Sequence, residues 1–273
     1  MYDAASLSDT PVLQRAKGEL RVSLRVRDGR TVLEGLRQAG CLKARFPRSG
    51  DWLNVVTLNT SGGVAGGDEL DSLFTVGTGA RATIATQAAE RFYRALPGTD
   101  PSRVRTRIVV ANGAAVEWLP QETILFDRSA VDRVLRIELA DDAWFLGVES
   151  LLFGRAAMGE VVNRGFLRDR IEVWRGGFPL LRDAIRLEGL VAETLQRPAV
   201  ANGARAMTTL VHVAPDAEAK LGAVRAASTG ASAWDGMLVA RILAENDASL
   251  RQSVVEVLDV LRGGRALPRV WMC

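Results

Sequence analysis

The sequence predicts a mainly β protein with a small helical portion towards its C-terminal end. Three observations carry this. Apolar and charged residues alternate with period two in several short stretches, most clearly Glu19–Val26 and Arg133–Leu139. Turn-forming clusters separate such stretches: Asp28-Gly29, Gly77–Gly79, Asn112-Gly113, Asp141-Asp142 and Gly176-Gly177. A helical period appears only after Pro215. Many short strands at this spacing fit a sandwich, a barrel or a β-helix, and the pattern does not choose among them.

Element by element, Leu20, Val22, Leu24 and Val26 alternate with Glu19, Arg21, Ser23 and Arg25, as on a half-buried strand. Val104, Thr106 and Ile108 against Arg105 and Arg107 repeat the pattern, as do Leu135, Ile137 and Leu139 against Arg136 and Glu138. Further β-rich pieces lie at Asn54–Leu58, Leu73–Val76, Ala82–Thr86, Ala114–Trp118, Trp144–Leu152, Leu167–Trp174 and Met207–Val213. Residues 215–227 are Ala-rich, with acids early and Lys220 and Arg225 late, the order that complements a helix dipole. Trp234–Leu243 reads as strand or helix. Residues 247–262 form a second helix, with Leu250, Val254, Val257, Leu258 and Leu261 on one face and Gly263-Gly264 as its stop. The tail ALPRVWMC is apolar enough to pack. With no linker, low-complexity segment or strict repeat, one domain over residues 1–273 is expected.

Composition removes several classes of function. The 273 residues hold 35 Lys and Arg against 32 Asp and Glu, a formal charge of +3, so nothing points to nucleic acid or an anionic membrane surface. All but three of the basic residues are Arg. No uncharged apolar run is long enough to span a bilayer, and the first residues lack the pattern of a secretory signal. Two cysteines, Cys41 and Cys273, make no disulfide framework, so a cytoplasmic location is the simplest expectation. A single histidine, His212, excludes a multi-His metal site within one chain.

Five places could carry chemistry. Ser61–Asp71 contains Gly62, Gly63, Gly66 and Gly67, which demand tight turns or close backbone approach. A phosphate loop would continue with Lys and Ser or Thr, and acids follow here instead. A calcium turn of the GGxGxD kind needs stacked copies, and there is one. What remains is a structural loop of left-handed turns, or a loop that sets Asp68 against a cavity or an ion path. Glu90–Arg94 joins charge to aromatics, as an interface or an ion-paired strand end does, with Arg91, Tyr93 and Arg94 as candidate contacts. In Trp118–Arg128, Glu122 and Asp127 differ by five positions and face opposite sides of a strand, so they are no acid/base pair; Asp127–Arg128 reads as a structural ion pair. Glu149, inside the apolar run from Trp144 to Phe153, needs a partner or a wet cavity, and Arg155 is the partner expected. His212 reads as structural, Cys41 as packed, and Cys273 as a weak soft ligand at most. No nucleophile elbow, P-loop, HExxH or dinucleotide fingerprint is present, so the chain does not read as an enzyme.

In order and spacing, the segments together resemble the urease accessory proteins of the UreD (UreH) family. The matching pieces are Gly18-Glu19-Leu20 with Gly29-Arg30-Thr31, the GGxxGGD core of Ser61–Asp68, Gly79-Ala80-Arg81 leading into Thr86–Arg94, WLPQETIxFD over Trp118–Asp127, FGRxAxGE over Phe153–Glu160, Arg170–Trp174, LVAR at Leu238–Arg241 and LPRVW at Leu267–Trp271. The chain departs from many members before the glycine core, reading Leu58-Asn59-Thr60-Ser61 where a His-Pro pair is common, so no role of a loop histidine transfers. The resemblance implies a β-helix-like stack of strands with a small C-terminal helical portion. It implies a non-enzymatic partner of apo-urease and of a UreF-type protein, which recruits a nickel-carrying GTPase of the UreG type. It also implies a water-filled nickel route. With one His and two Cys, such a route would rest on carboxylates and backbone oxygens and hold nickel loosely, in transit, with no tight site and no bound cofactor. Asp68, Glu149 and Glu160 are the candidate path residues, and Trp271 joins the candidate interface. From composition alone, the competing reading is a β-helix carbohydrate-active enzyme using an acidic pair.

Overall fold

The computed structural model describes residues 14–48, 50, 52–155, 158–228 and 230–272. Cys273 lies outside them. Its strands are β1 (Lys17–Arg27), β2 (Arg30–Gly40), β3 (Leu42–Arg45), β4 (Leu53–Asn59), β5 (Glu69–Val76), β6 (Arg81–Thr86), β7 (Glu90–Phe92), β8 (Ser102–Val110), β9 (Ala115–Leu119), β10 (Thr123–Leu125), β11 (Ala130–Leu139), β12 (Trp144–Phe153), β13 (Arg164–Arg175), β14 (Phe178–Leu190), β15 (Ala206–Val213), β16 (Gly230–Trp234) and β17 (Met237–Ala244). Helices α1 (Val191–Gln196), α2 (Ala217–Ala227) and α3 (Asp247–Arg262) complete the chain, with a 3-10 turn at Arg269–Trp271.

Strand order explains the β-helix-like form. One sheet runs β14-β13-β11-β8-β5-β1-β2 and the other β16-β17-β15-β12-β9-β6-β4-β3. The chain alternates between them: β5, β6 and β7 make one coil, β8, β9 and β10 the next, and β11 and β12 the third. Equivalent strands pair in parallel, so Glu69, Arg103, Asp132 and Arg168 stand side by side. Short β10 pairs in parallel with β7 on one side and with the end of β12 on the other, closing a third side. The hairpins β1–β2 and β13–β14 flank the first sheet.

Alternation sets what each face touches. On β11, Val131, Arg133, Leu135, Ile137 and Leu139 point inward and are buried. Outward residues form ion-pair ladders across coils, such as Arg105–Asp132–Arg170. The second sheet is covered on both faces. Phe145, Leu151 and Phe153 of β12 meet the first sheet, while Leu146, Val148 and Leu152 meet the helices. Covered on both sides, β12 is buried along almost its whole length and, Glu149 and Ser150 apart, is apolar rather than alternating. Helix α3 buries the predicted face of Leu250, Val254, Val257, Leu258 and Leu261. The Asn246 side chain accepts from the Ser249 amide (3.0 Å), and Gly263 ends the helix at φ 61°.

Each strand the sequence predicted is present, as are both predicted helices. Trp234–Leu243, left open between strand and helix, falls in the β16–β17 hairpin. Strands β2 and β14 and helix α1 were not anticipated. β2 and β14 are long hairpin arms with little burial on either face, so they carry no alternation to read.

Candidate functional site

The glycine loop joins β4 to β5 and is zipped onto the chain around β7. The Val64 amide donates to the Arg91 carbonyl (2.7 Å), the Tyr93 amide to the Val64 carbonyl (2.8 Å) and the Tyr93 hydroxyl to the Gly62 carbonyl (2.8 Å). Gly63 is required twice over. Its φ is +143°, and a Cβ there would lie 2.4 Å from Cε2 of Tyr93.

Asp68 acts as the loop's staple. Its two carboxylate oxygens accept from the amides of Ala16 and Ala65, both at 2.8 Å, tying the loop to the segment entering β1. It is buried and does not line the interior cavity.

That cavity, about 370 Å³, lies between the two sheets beneath the loop. Exposed Thr60, Gly62 and Arg91 mark its opening. Glu90 stands within it, its carboxylate accepting from the Asn59 side chain (3.1 Å) and the Arg91 amide (3.2 Å). Burial pushes Glu90 above the ordinary carboxylate range, with the Asn59 hydrogen bond opposing.

At the inner end sits a buried ion-pair network. Arg133 forms an ion pair with Glu149 (Nη1, 2.7 Å) and donates to both oxygens of Asp169 (2.8 and 2.6 Å) and to the Thr123 hydroxyl (2.9 Å). Trp118 Nε1 donates to the other oxygen of Glu149 (2.7 Å). The partner of Glu149 is therefore Arg133 and not Arg155. Arg155 instead donates to Glu160 (2.8 Å), outside the cavity. Pairing in this fold is set by coil register, which places Arg133 beside Asp169 on neighbouring strands. Burial opposes charge on Arg133, but Asp169 and Glu149 together hold its proton more firmly than usual. Burial raises Glu149; Arg133 and Trp118 oppose this, and Asp169 adds to it. With two carboxylates facing one guanidinium, the network carries excess negative charge whenever both are ionised.

The sequence reading missed Arg133, Asp169 and Glu90 as site residues. For the first two the signal was present: both occupy inward positions of the period-two pattern, on β11 and β13. A charged residue at an inward position implies a buried partner.

The other candidates sit as follows. Arg91, Tyr93 (37% exposed) and Arg94 lie at the surface beside the cavity opening, Tyr93 packing edge-on against Phe126. Trp271 is a correction. It is 6% exposed, its Nε1 donates to the Leu119 carbonyl (2.9 Å) and Arg251 covers its ring, so its role is to anchor the tail and its ring is unavailable to a partner. Asp127 lies 3.7 Å from Arg128 and also accepts from the amides of Asn163 and Arg164. His212 is fully buried, stacked edge-on to Trp144, with Nδ1 donating to the Phe145 carbonyl (3.1 Å).

The lining mixes apolar side chains with a set of oxygen-bearing ones. Beside Glu90 and Glu149 stand the hydroxyls of Thr57, Ser72, Thr106 and Thr123 and the amides of Asn59 and Gln121, with no His or Cys. Among the described residues, no group of three or more His, Cys, Asp or Glu is placed to hold a metal ion. Glu149 and Asp169 are both committed to Arg133, which is not the arrangement of an acid/base pair flanking a sugar.

The fold and cavity define a coiled, β-helix-like protein with an interior cavity in which Glu90, Glu149, Arg91 and Arg133 stand among hydroxyl, amide and apolar side chains. The profile of the family described as "UreD urease accessory protein" matches residues 16–272, and the chain belongs to this family. Proteins named urease accessory protein UreD are similar throughout. That of Rhizobium leguminosarum bv. trifolii (strain WSM2304) is 45% identical over 263 residues, covering 94% of this chain and 96% of its own. That of Azorhizobium caulinodans is 42% identical over 272 residues, covering 97% and 99%. That of Dinoroseobacter shibae is 46% identical over 269 residues, covering 96% and 94%. Family membership makes the chain a urease accessory protein with a role in urease maturation. None of the described helices is long and apolar enough to cross a membrane.

Proposed function

We propose that this chain is the scaffold and nickel-delivery subunit of a cytoplasmic urease-maturation complex. In this reading it binds apo-urease and a UreF-type protein. Nickel released by a UreG-type GTPase then crosses the chain on its way to the urease active site.

The observation that carries the reading is the interior cavity, with Glu90 near its opening and the Glu149–Arg133–Asp169 network at its inner end. In this reading the Glu90 and Glu149 carboxylates draw a divalent cation inward, and hydroxyl and amide oxygens replace part of its water shell. The absence of imidazole and thiolate from the lining keeps residence short. Glu149 and Glu90 are the path residues in this proposal. Asp68 and Glu160 act structurally, on backbone amides and on Arg155 respectively. Arg91, Tyr93 and Arg94, beside the opening, form the proposed contact with the protein that hands nickel over.

The test is urease activity in a nickel-supplied host expressing the urease operon with and without this chain. Activity and urease-bound nickel that appear only with the chain support the reading. Equal activity in both strains overturns it.

A further inference from the structure

The outer face of the second sheet holds a different kind of recess. About 980 Å³ in volume, it lies between the β3–β4 end of the sheet and the chain that follows α3. A neighbouring recess of about 990 Å³ shares Phe46, Pro47, Arg48 and Gly50 with it. Together their described lining holds seven arginines and a single carboxylate, Glu117. Glu117 is fully buried and already bound by Arg262 (2.9 and 3.1 Å) and Arg265 (2.6 Å). Arg45 donates only to the carbonyl of Ala44, its own neighbour (2.9 Å). Arg30, Arg48 and Arg81 are exposed and carry no ion pair among the described residues. Burial lowers the proton affinity of Arg265; Glu117 opposes this, and Arg262 and Arg81 add to it, as expected where positive charge is in excess.

This charge is invisible along the sequence because it is assembled from distant stretches, at Arg30, Arg45 and Arg48, Arg81, and Arg262 and Arg265. On the first sheet's outer face, by contrast, Arg105, Arg107, Arg136 and Arg170 each meet Asp or Glu. What sets the recess apart is that Arg30, Arg45, Arg48 and Arg81 line one continuous surface with no carboxylate partner among the described residues.

We propose that this arginine-lined recess is a docking site for an acidic segment of a partner polypeptide. Guanidinium groups bind carboxylates in planar, two-point fashion. The walls between them, including Phe46, Leu267 and Val270, offer apolar contact for the segment's other side chains. Single-stranded nucleic acid, the other polyanion, binds by stacking bases on bare aromatic faces. Trp52, the indole in this recess, is already occupied: the Arg265 guanidinium lies 4.0 Å from its ring centroid and Trp144 packs edge-on at 5.5 Å. The inference is independent of the nickel route, because it concerns another face and another charge sign.

The test is fluorescence anisotropy with the full chain and a dye-labelled peptide rich in Glu with interspersed Leu. The same peptide with Gln for Glu, and an oligodeoxythymidylate of equal charge, serve as comparisons. Saturable binding is expected for the Glu peptide alone. The double reversal Arg45→Glu/Arg48→Glu should weaken it about tenfold or more, as expected for charge reversal at a complementary site. Arg186→Glu, on the distant and exposed β14, should leave it unchanged. Arg81→Glu provides an independent reversal should the double variant melt abnormally. The proposal is overturned if the peptide does not bind, if the reversals leave its affinity unchanged, or if the oligonucleotide binds the recess as tightly.

Discussion

Replacing Glu117 by Ala should destabilise the protein more than any change at its surface. Glu117 lies on β9 and points towards α3. It accepts from Arg262 Nε (2.9 Å) and Nη2 (3.1 Å), from Arg265 Nη2 (2.6 Å) and from the Thr83 hydroxyl (2.7 Å). The Arg262 side chain is 4% exposed, so without Glu117 its charge stays buried with only the Arg265 carbonyl as acceptor. Removing one member of a buried ion pair costs about 3–5 kcal/mol. At about 2 °C per kcal/mol, the low end for large domains, Tm should fall by about 6–10 °C. Removing both charges with Glu117→Leu/Arg262→Met should cost less than the sum of the two single changes, because the buried Arg262 charge goes with its partner and the Arg265 guanidinium that remains is partly exposed to solvent. Urea titration and thermal melts followed by circular dichroism measure all five proteins: the parent, Glu117→Ala, Glu117→Leu, Arg262→Met and the double variant. A Glu117→Ala variant within about 1 kcal/mol of the parent, or a double variant worse than the sum, would refute the reasoning.

Four further outcomes follow from the same contacts. Asp68→Ala removes a charged acceptor from two buried amides and should cost about 3 kcal/mol or more. Whatever fraction folds should still activate urease, and nickel delivery lost from fully folded Asp68→Ala would return this residue to the path. Gly62→Ala, with open space around it but φ at +80°, should cost only about 1–2 kcal/mol; Gly63→Ala, which collides with Tyr93 and the Arg91 carbonyl, should cost clearly more and change tyrosine fluorescence. His212 is pushed down to about 4, chiefly by burial and further by Lys220, from an ordinary 6.5. The unfolded chain binds this proton more readily, so the stability it contributes is complete above pH 6.5 and is lost as pH falls towards 4, about 3 kcal/mol in all. Denaturation of His212→Leu across that window should lack this component, and an unchanged pH slope would contradict it. Tyr93→Phe deletes only the hydroxyl bond to the Gly62 carbonyl and should cost about 1 kcal/mol by thermal melt.

Much of this protein is readable in its sequence, and the limits are physical. Strands β1, β8 and β11 alternate because one face meets the core and the other carries solvated charge. Helix α3 is legible down to its Gly263 cap. Strands β2 and β14 are silent because neither of their faces is well buried. The candidate site was half legible. Glu149 stood out as a carboxylate in an apolar run, but its partner was sought nearby, at Arg155. In a coiled β structure the neighbours that matter are on adjacent coils: Arg133 and Asp169 are paired across β11 and β13, 36 residues apart. Asp68 drew attention because glycines surround it. Which way its carboxylate turned depended on the amides of Ala16 and Ala65, and the first of these lies 52 residues away. The arginine recess was illegible for the same reason, since its charges meet only when α3 packs on the second sheet.

The most direct test of the nickel route is urease activation by Glu149→Gln and Glu90→Gln. Both substitutions remove negative charge from the cavity. Arg133 keeps its two bonds to Asp169 in the first, and the Asn59 contact can persist in the second. Each variant is co-expressed with the urease operon under limiting nickel. Urease-bound nickel, urease activity and recovery of the accessory complex are measured together, with a melt of each variant. The account predicts that nickel content and activity fall severalfold while the complex is recovered in full. Full nickel loading by both folded variants, or a loss that merely tracks loss of the complex, would contradict it.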